Sequence, residues 1–171
     1  MAILRKKILY KDWIYEWLIE KKEYIKESTY ANYSNNIFNH IVPKLGDCSL
    51  DEIDHKILQK FLLDLFKNGK SNGNGGLAEK TVKDISIILK GSLKKAINEG
   101  KMKHIELTFH YPKSNIEKKI YILTKKEQNK ITDYVIDNLS SKNIGLLISL
   151  YSGIRIGELC ALKWKNIDLD K

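Results

Sequence analysis

The sequence predicts a mainly α protein. Three observations carry this. Apolar residues recur every three or four positions in four stretches of the first hundred residues and again beyond residue 120. Gly, Pro and Asn gather between those stretches, where a helix would end. Ser, Thr or Asp stands at several of the expected helix starts, twice with Glu three residues later.

In the first helix, over about 9 to 23, Ile8, Leu9, Trp13, Ile14, Trp17 and Leu18 share a face and charged residues fill the intervals. A second is expected over about 28 to 41. Tyr30, Tyr33, Ile37 and Ile41 mark its inner side, Asn32, Asn35, Asn36 and Asn39 its outer side, and Pro43 and Gly46 its end. The third helix has two candidate starts, the pair Ser49 and Glu52 or an Asp54 cap. It carries Ile57, Leu58, Phe61, Leu62 and Leu65 and stops near Lys67. The run Asn68 to Gly76 is a loop by composition. The fourth helix, from about Glu79 to Glu99, turns Val82, Ile85, Leu89, Ala96 and Ile97 inward and ends at Gly100.

Residues 101–120 lose the helical period, contain Pro112 and are rich in Lys, as a linker or short extended segment would be. The expected organisation is a domain at 1–100, a linker at 101–120 and a second domain at 121–171. In the latter, Thr124 and Glu127 make a capping box for a helix bearing Ile131, Tyr134, Val135 and Leu139. Another helix spans about Lys142 to Tyr151. Ser152-Gly153 breaks it, and a short helix from about Arg155 to Lys163 leads to Trp164 and Asp168.

Among the 171 residues, 30 Lys+Arg face 21 Asp+Glu, a formal charge of +9 that favours a polyanionic partner. Only Arg5 and Arg155 are arginines, so a position that uses a guanidinium invites inspection for a need of its planar fork. Cys48 and Cys160 have neither Cys-x-x-Cys nor zinc-ligand spacing, which implies reduced thiols in a cytoplasmic protein and no metal site. No stretch reads as a signal peptide or a membrane span.

The segment Ser149 to Asp170 is the most specific part of the sequence. It contains Ser152-Gly153-Ile154-Arg155, Glu158, Leu159, Leu162-Lys163-Trp164 and Asp168. This resembles the first catalytic box of the tyrosine recombinases, or phage integrases. Upstream, Thr29-Tyr30, Tyr33, Pro43-x-Leu45-Gly46 and Lys80-Thr81-Val82 resemble that family's core-binding domain. The resemblance covers nearly the whole chain from about residue 8. It implies a four-helix, SAM-like core-binding domain followed by the first helices of an α+β catalytic domain. It also implies site-specific DNA recombination or integration, through a phosphotyrosyl link that needs neither metal nor nucleotide cofactor. Ser152 stands where Thr is usual, Asn166 where Asp is common, and no Asn-Pro follows the fourth helix, which leaves the linker's register open.

By the resemblance, Arg155 holds the non-bridging oxygens of the scissile phosphate as the first catalytic arginine. An arginine at a helix N-terminus suits a phosphate on physical grounds too, because its bidentate donors add to a partly positive end. Glu158, three residues on, is expected to orient Arg155 by a charge-assisted bond. The plain alternative is a surface ion pair worth well under about 1 kcal/mol. The family's later groups, including the nucleophilic tyrosine, have no counterpart here: His40, His55, His104 and His110 all precede Arg155, and none has Arg three positions later. The expectation is a portion that binds DNA without cleaving it.

The partner implied is double-stranded DNA, with oligomers on paired half-sites for a full-length protein. On the fourth helix Lys80, Lys83, Lys90 and Lys94 fall on one side around Ile87, a pattern that tracks phosphates, with Thr81 beside them. Thr29, Asn32 and Asn36 of the second helix are candidates for further DNA contact, the Asn amides matching adenine edges. Two rivals stand beside this reading: a non-catalytic regulator that occupies recombination sites, and, more weakly, a basic RNA-binding module for which Arg155 has no special role.

Overall fold

The structure is a computed structural model that describes residues 7–70, 73, 75–112 and 120–167, apart from the side chain of Trp164. The chain divides into two compact units, Met1–Ile116 and Glu117–Lys171.

The first unit holds α1 (Tyr10–Lys21), α2 (Glu27–Asn36), a π-helical turn (Ile37–Ile41), α3 (Val42–Leu45), α4 (His55–Asn68) and α5 (Glu79–Asn98). No side chain caps α1, so its first amides take backbone carbonyls from elsewhere in the unit. Tyr10 N–H donates to Cys48 O at 2.9 Å and Lys11 N–H to Gly46 O at 3.0 Å. Alongside, Leu50 N–H donates to Ile8 O at 3.0 Å, next to an antiparallel bridge between Leu9 and Ser49.

The second helix does not end at Pro43, one of its two expected stops; it runs through it to Leu45, with Gly46, the other, as its C-cap. The Val42 amide reaches back five residues to Ile37 O, which widens the turn just where a proline ring would crowd an α-helical carbonyl. Ile37, Ile41 and Leu45, at four-residue spacing, are all buried on the inward side of this helix.

Asp54 is the cap of α4, accepting the Ile57 amide at 2.7 Å, while Glu52 instead accepts the Ser49 amide across the preceding turn. The amphipathic helix turns Leu58, Phe61, Leu62 and Leu65 inward. The longest helix, α5, buries Val82, Ile85, Ile88, Leu89, Leu93 and Ala96 against α1, α2 and α4. Each of the Val, Ile and Leu side chains among them contributes about 1.5–3 kcal/mol by leaving water.

Polar atoms in this core are matched. The Tyr10 hydroxyl lies 2.8 Å from Ser92 Oγ, and Trp13 Nε1–H donates to Ser92 O at 2.9 Å. Burial pushes the Tyr10 phenol above its ordinary pKa, since the neutral form costs less to desolvate. Helix α5 also comes close to α1: a Cβ on Gly91 would lie 2.8 Å from Trp17 Cζ2.

The expected linker is corrected in its first half. Met102 and Phe109 are buried, and Ile105, Leu107 and Tyr111 pack on the same core, so the segment belongs to the first unit. The Gln59 amide fixes it in the manner of a neighbouring strand, donating to His110 O at 2.9 Å and accepting His110 N–H at 3.0 Å. Residues 113–119, with Lys113, Lys118 and Lys119, lie outside the described residues.

The second unit contains α6 (Lys125–Asp137), α7 (Ser141–Ser152), α8 (Ile156–Ala161) and a 3₁₀ turn at Trp164–Asn166. Both halves of the Thr124 and Glu127 capping box are present, and Ser140 caps α7 through the Asn143 amide. Val135 of α6 is buried as expected, but Tyr134 and Leu139 are 64% and 68% exposed. Ile144, Leu146, Ile156 and Leu162 are exposed as well. Asp168 lies outside the described residues. Among the described residues no helix is long and apolar enough to cross a membrane.

Candidate nucleic-acid interface

A rotation of 100° per residue puts Lys80, Lys83, Ile87, Lys90 and Lys94 on one side of α5, opposite its buried face. Lys80, Lys83, Ile87 and Lys94 are exposed and Lys90 is half-buried, as is Thr81 at the helix start. The side chains are not equivalent. Lys83 Nζ lies 2.7 Å from Glu79 Oε1, and that hydrogen bond holds the Lys83 pKa above its ordinary value. Lys90 Nζ sits 5.2 Å from the Phe109 ring centre and Lys83 Nζ 5.5 Å from that of Tyr111. A ring face attracts a cation, so these contacts favour a subset of lysine rotamers.

Phe109 and Tyr111 are the residues that reading 101–120 as a linker passed over. A signal was available. Ile105, Leu107, Phe109 and Tyr111 alternate with Glu106, Thr108 and His110, the period of an extended segment with one covered face. His55 joins this surface, its ring stacked on Phe109 at 5.9 Å and its Nδ1 3.1 Å from Glu106 O.

Helix α2 is a second polar surface, with a correction. Asn32 is exposed and Thr29 half-buried, but Asn36 is 6% exposed, so its amide does not stand on the outer side. Its Nδ2 donates to Asn32 Oδ1 at 3.4 Å, which a four-residue separation allows on one helix face. The side chain sits beside Ile37 on the inward face, where the sequence alone suggested a uniform asparagine exterior.

Arg155, in the second unit, is placed by a short chain of local bonds. Ser152 Oγ donates to Ile148 O and accepts the Ile154 amide, the work expected of a hydroxyl there whether from Ser or Thr. Gly153 ends α7 in the left-handed region, at φ 69°, which glycine adopts without the strain of a Cβ. Arg155 follows in extended backbone as the N-cap of α8.

Glu158 binds Arg155 twice. It accepts the Arg155 backbone amide at 3.0 Å and the guanidinium at 3.3 Å. The Arg155 side chain is nonetheless 86% exposed, leaving most of its donors free to meet an anion. Helix α8 has six residues, shorter than expected, so its dipole adds little and the guanidinium is the main cationic group of this turn. A groove of about 580 Å³ between α7 and α8 is lined largely by Ile144, Ile148, Ile156, Leu159, Leu162 and Ile167.

Residues 9–66 match the phage integrase N-terminal SAM-like domain. Over 168 residues, 94% of this chain, the sequence is 27% identical to a tyrosine recombinase XerC-like protein of Caldanaerobacter subterraneus subsp. tengcongensis. Two solved structures share the fold. One is the Tn1549 transposon integrase in complex with circular intermediate DNA, with a TM-score of 0.71 and 19% identity over 95% of this chain. The other is a lambda integrase dimer bound to a COC' core site, with a TM-score of 0.70 and 23% identity over 95% of this chain. The chain spans 41% of the curated relative and 52% and 44% of the two solved chains.

Proposed function

From a chain that is related to the tyrosine recombinases and carries a phage integrase N-terminal SAM-like domain, we propose a portion of a site-specific DNA recombinase that holds duplex DNA. The observation that carries the reading is the α5 face, where four lysines follow one line and two of them rest on the aromatic rings of the packed 102–111 segment. Phosphates repeat along a duplex, and a line of cations on a rigid helix can meet several at once. Thr29 and Asn32 of α2 and Thr81 of α5 add hydroxyl and amide groups for phosphate or base contact; Asn36 supports Asn32 from beneath.

In the second unit Arg155 is the ligand for the scissile phosphate. Its guanidinium can donate two parallel hydrogen bonds to non-bridging oxygens and stabilise the charge that gathers on them during strand transfer. Glu158 is a positioning residue: it fixes the backbone amide and one side of the guanidinium. The chemistry needs a nucleophile, and the phosphotyrosyl route assigns that to a tyrosine beyond these residues. A full-length protein would act as an oligomer on paired half-sites, in the cytoplasm and on DNA.

Competition binding tests this reading. Duplex DNA should displace a labelled duplex from the chain at lower concentration than single-stranded RNA of equal length, and no nicked product should accumulate. Preference for the RNA would replace the reading with that of an RNA-binding module.

A further inference from the structure

We propose that Glu79 is a built-in competitor for the DNA phosphate at Lys83, and so limits the affinity of the α5 surface. The inference rests on the DNA-binding reading above.

Lys83 is the most closely held of the four lysines. Its ammonium lies 2.7 Å from the Glu79 carboxylate and 5.5 Å from the centre of the Tyr111 ring. The ring is itself fixed. Ser86 Oγ donates its one proton to Lys83 O at 2.7 Å, so the Tyr111 hydroxyl, 2.6 Å from Ser86 Oγ, is the donor in that contact. The Lys83 head group therefore has a defined place on the surface, and ordering it on binding costs less entropy than ordering a free lysine. Among the described residues, Lys80, Lys90 and Lys94 form no ion pair within 4.0 Å, so within the line this restraint by a carboxylate falls on Lys83.

A carboxylate and a phosphate cannot share that ammonium without repelling each other across a few ångströms. For DNA to use Lys83, the Glu79 side chain has to turn away. Its position allows this. Glu79 is the first residue of α5, where a carboxylate is favoured by the helix end even without its lysine. Its side chain is 31% exposed, with water on one side to move into. In the free protein Glu79 holds the lysine ready; on DNA it is the group displaced. Removing its charge should make Lys83 a full phosphate ligand from the start.

The test is a double-mutant cycle on the whole chain with a labelled duplex, read by fluorescence anisotropy between about 50 and 200 mM salt, the range over which phosphate contacts dominate affinity. The four proteins are wild type, Glu79→Gln, Lys83→Ala and the double variant. Asp51→Asn, in the exposed turn before α4, controls for one unit of net charge. One phosphate contact has a log–log salt slope of about 0.9, equivalent to roughly eightfold in affinity at 0.1 M salt. Glu79→Gln should therefore tighten binding by about three- to eightfold, Asp51→Asn by less than about twofold, and Glu79→Gln on the Lys83→Ala background by no more than Asp51→Asn does.

A gain above that of Asp51→Asn that persists without Lys83, a gain no larger than that of Asp51→Asn with Lys83 present, or weaker binding would overturn the proposal. The ion pair has its own readout without DNA. The Lys83 Nζ titration followed by NMR should move down in Glu79→Gln, and an unchanged midpoint would also overturn it. If the ammonium shifts as expected but none of the four proteins binds duplex DNA, it is the DNA reading that fails, and the competitor role falls with it.

Discussion

Replacing Gly91 by Ala asks how tightly α5 is seated on α1. The new Cβ would stand 2.8 Å from Trp17 Cζ2, where carbon atoms pack best at about 3.5–4.0 Å. Something must move by roughly 0.7–1.2 Å on those same figures. The indole cannot slide easily: it is 4% exposed, stacks on Tyr33 at 5.9 Å, and has Lys21 above it at 5.8 Å. Overpacking of this kind costs about 1–3 kcal/mol. Alanine's better helix propensity returns about 0.8–1.0 kcal/mol. The net should be a loss of roughly 1 kcal/mol, or about 4–8 °C in Tm for a domain of this size. Urea unfolding followed by tryptophan emission reads it directly, because Trp17 reports on the packing being strained. A midpoint at or above that of wild type would refute the close approach.

Three further outcomes follow from named interactions. In alkali, the unfolded phenol of Tyr10 loses its proton near pH 10 while the buried one holds it to higher pH. Stability from this group is complete below pH 10 and falls above it by about 1.4 kcal/mol per pH unit until the folded value is reached, so Tyr10→Phe should be less steeply destabilised above pH 10 than wild type in paired melts. Gln59→Leu removes both bonds to His110 and should speed hydrogen exchange of the amides at 105–111 with little change in α1, an outcome that mass spectrometry can localise. In a longer protein that carries the rest of the catalytic machinery, Arg155→Lys should lower the strand-cleavage rate by about 10²- to 10³-fold while half-site binding holds, and wild-type cleavage would remove Arg155 from the reaction.

Elements set by their own residues were legible in the sequence. Asp54, the Thr124 and Glu127 box, and the Gly153 stop each act through bonds within a few residues, and each appears where the pattern put it. Features decided by tertiary packing were less so. Pro43 signals a helix end by local rules, yet the helix passes through it by way of a π turn whose inward residues, Ile37 and Ile41, are buried. Asn36 looks like surface until the neighbouring Ile37 draws that face inward. The pairing of Glu79 with Lys83 is a local i, i+4 relation, of the kind a helical spacing makes legible in the sequence. The bonds between Arg155 and Glu158 follow from their three-residue spacing.

The central claim is that the first unit holds duplex DNA through the exposed side of α5, and the salt dependence of binding tests it most directly. Affinity of the chain for a labelled duplex should fall steeply and linearly on a log–log plot. Replacing Lys80, Lys83, Lys90 and Lys94 together by Ala should flatten the slope by about 2–4 units, since each phosphate that no longer meets a lysine takes about 0.9 from it. Parallel lines for the wild type and the fourfold variant would contradict the account and place the interface elsewhere.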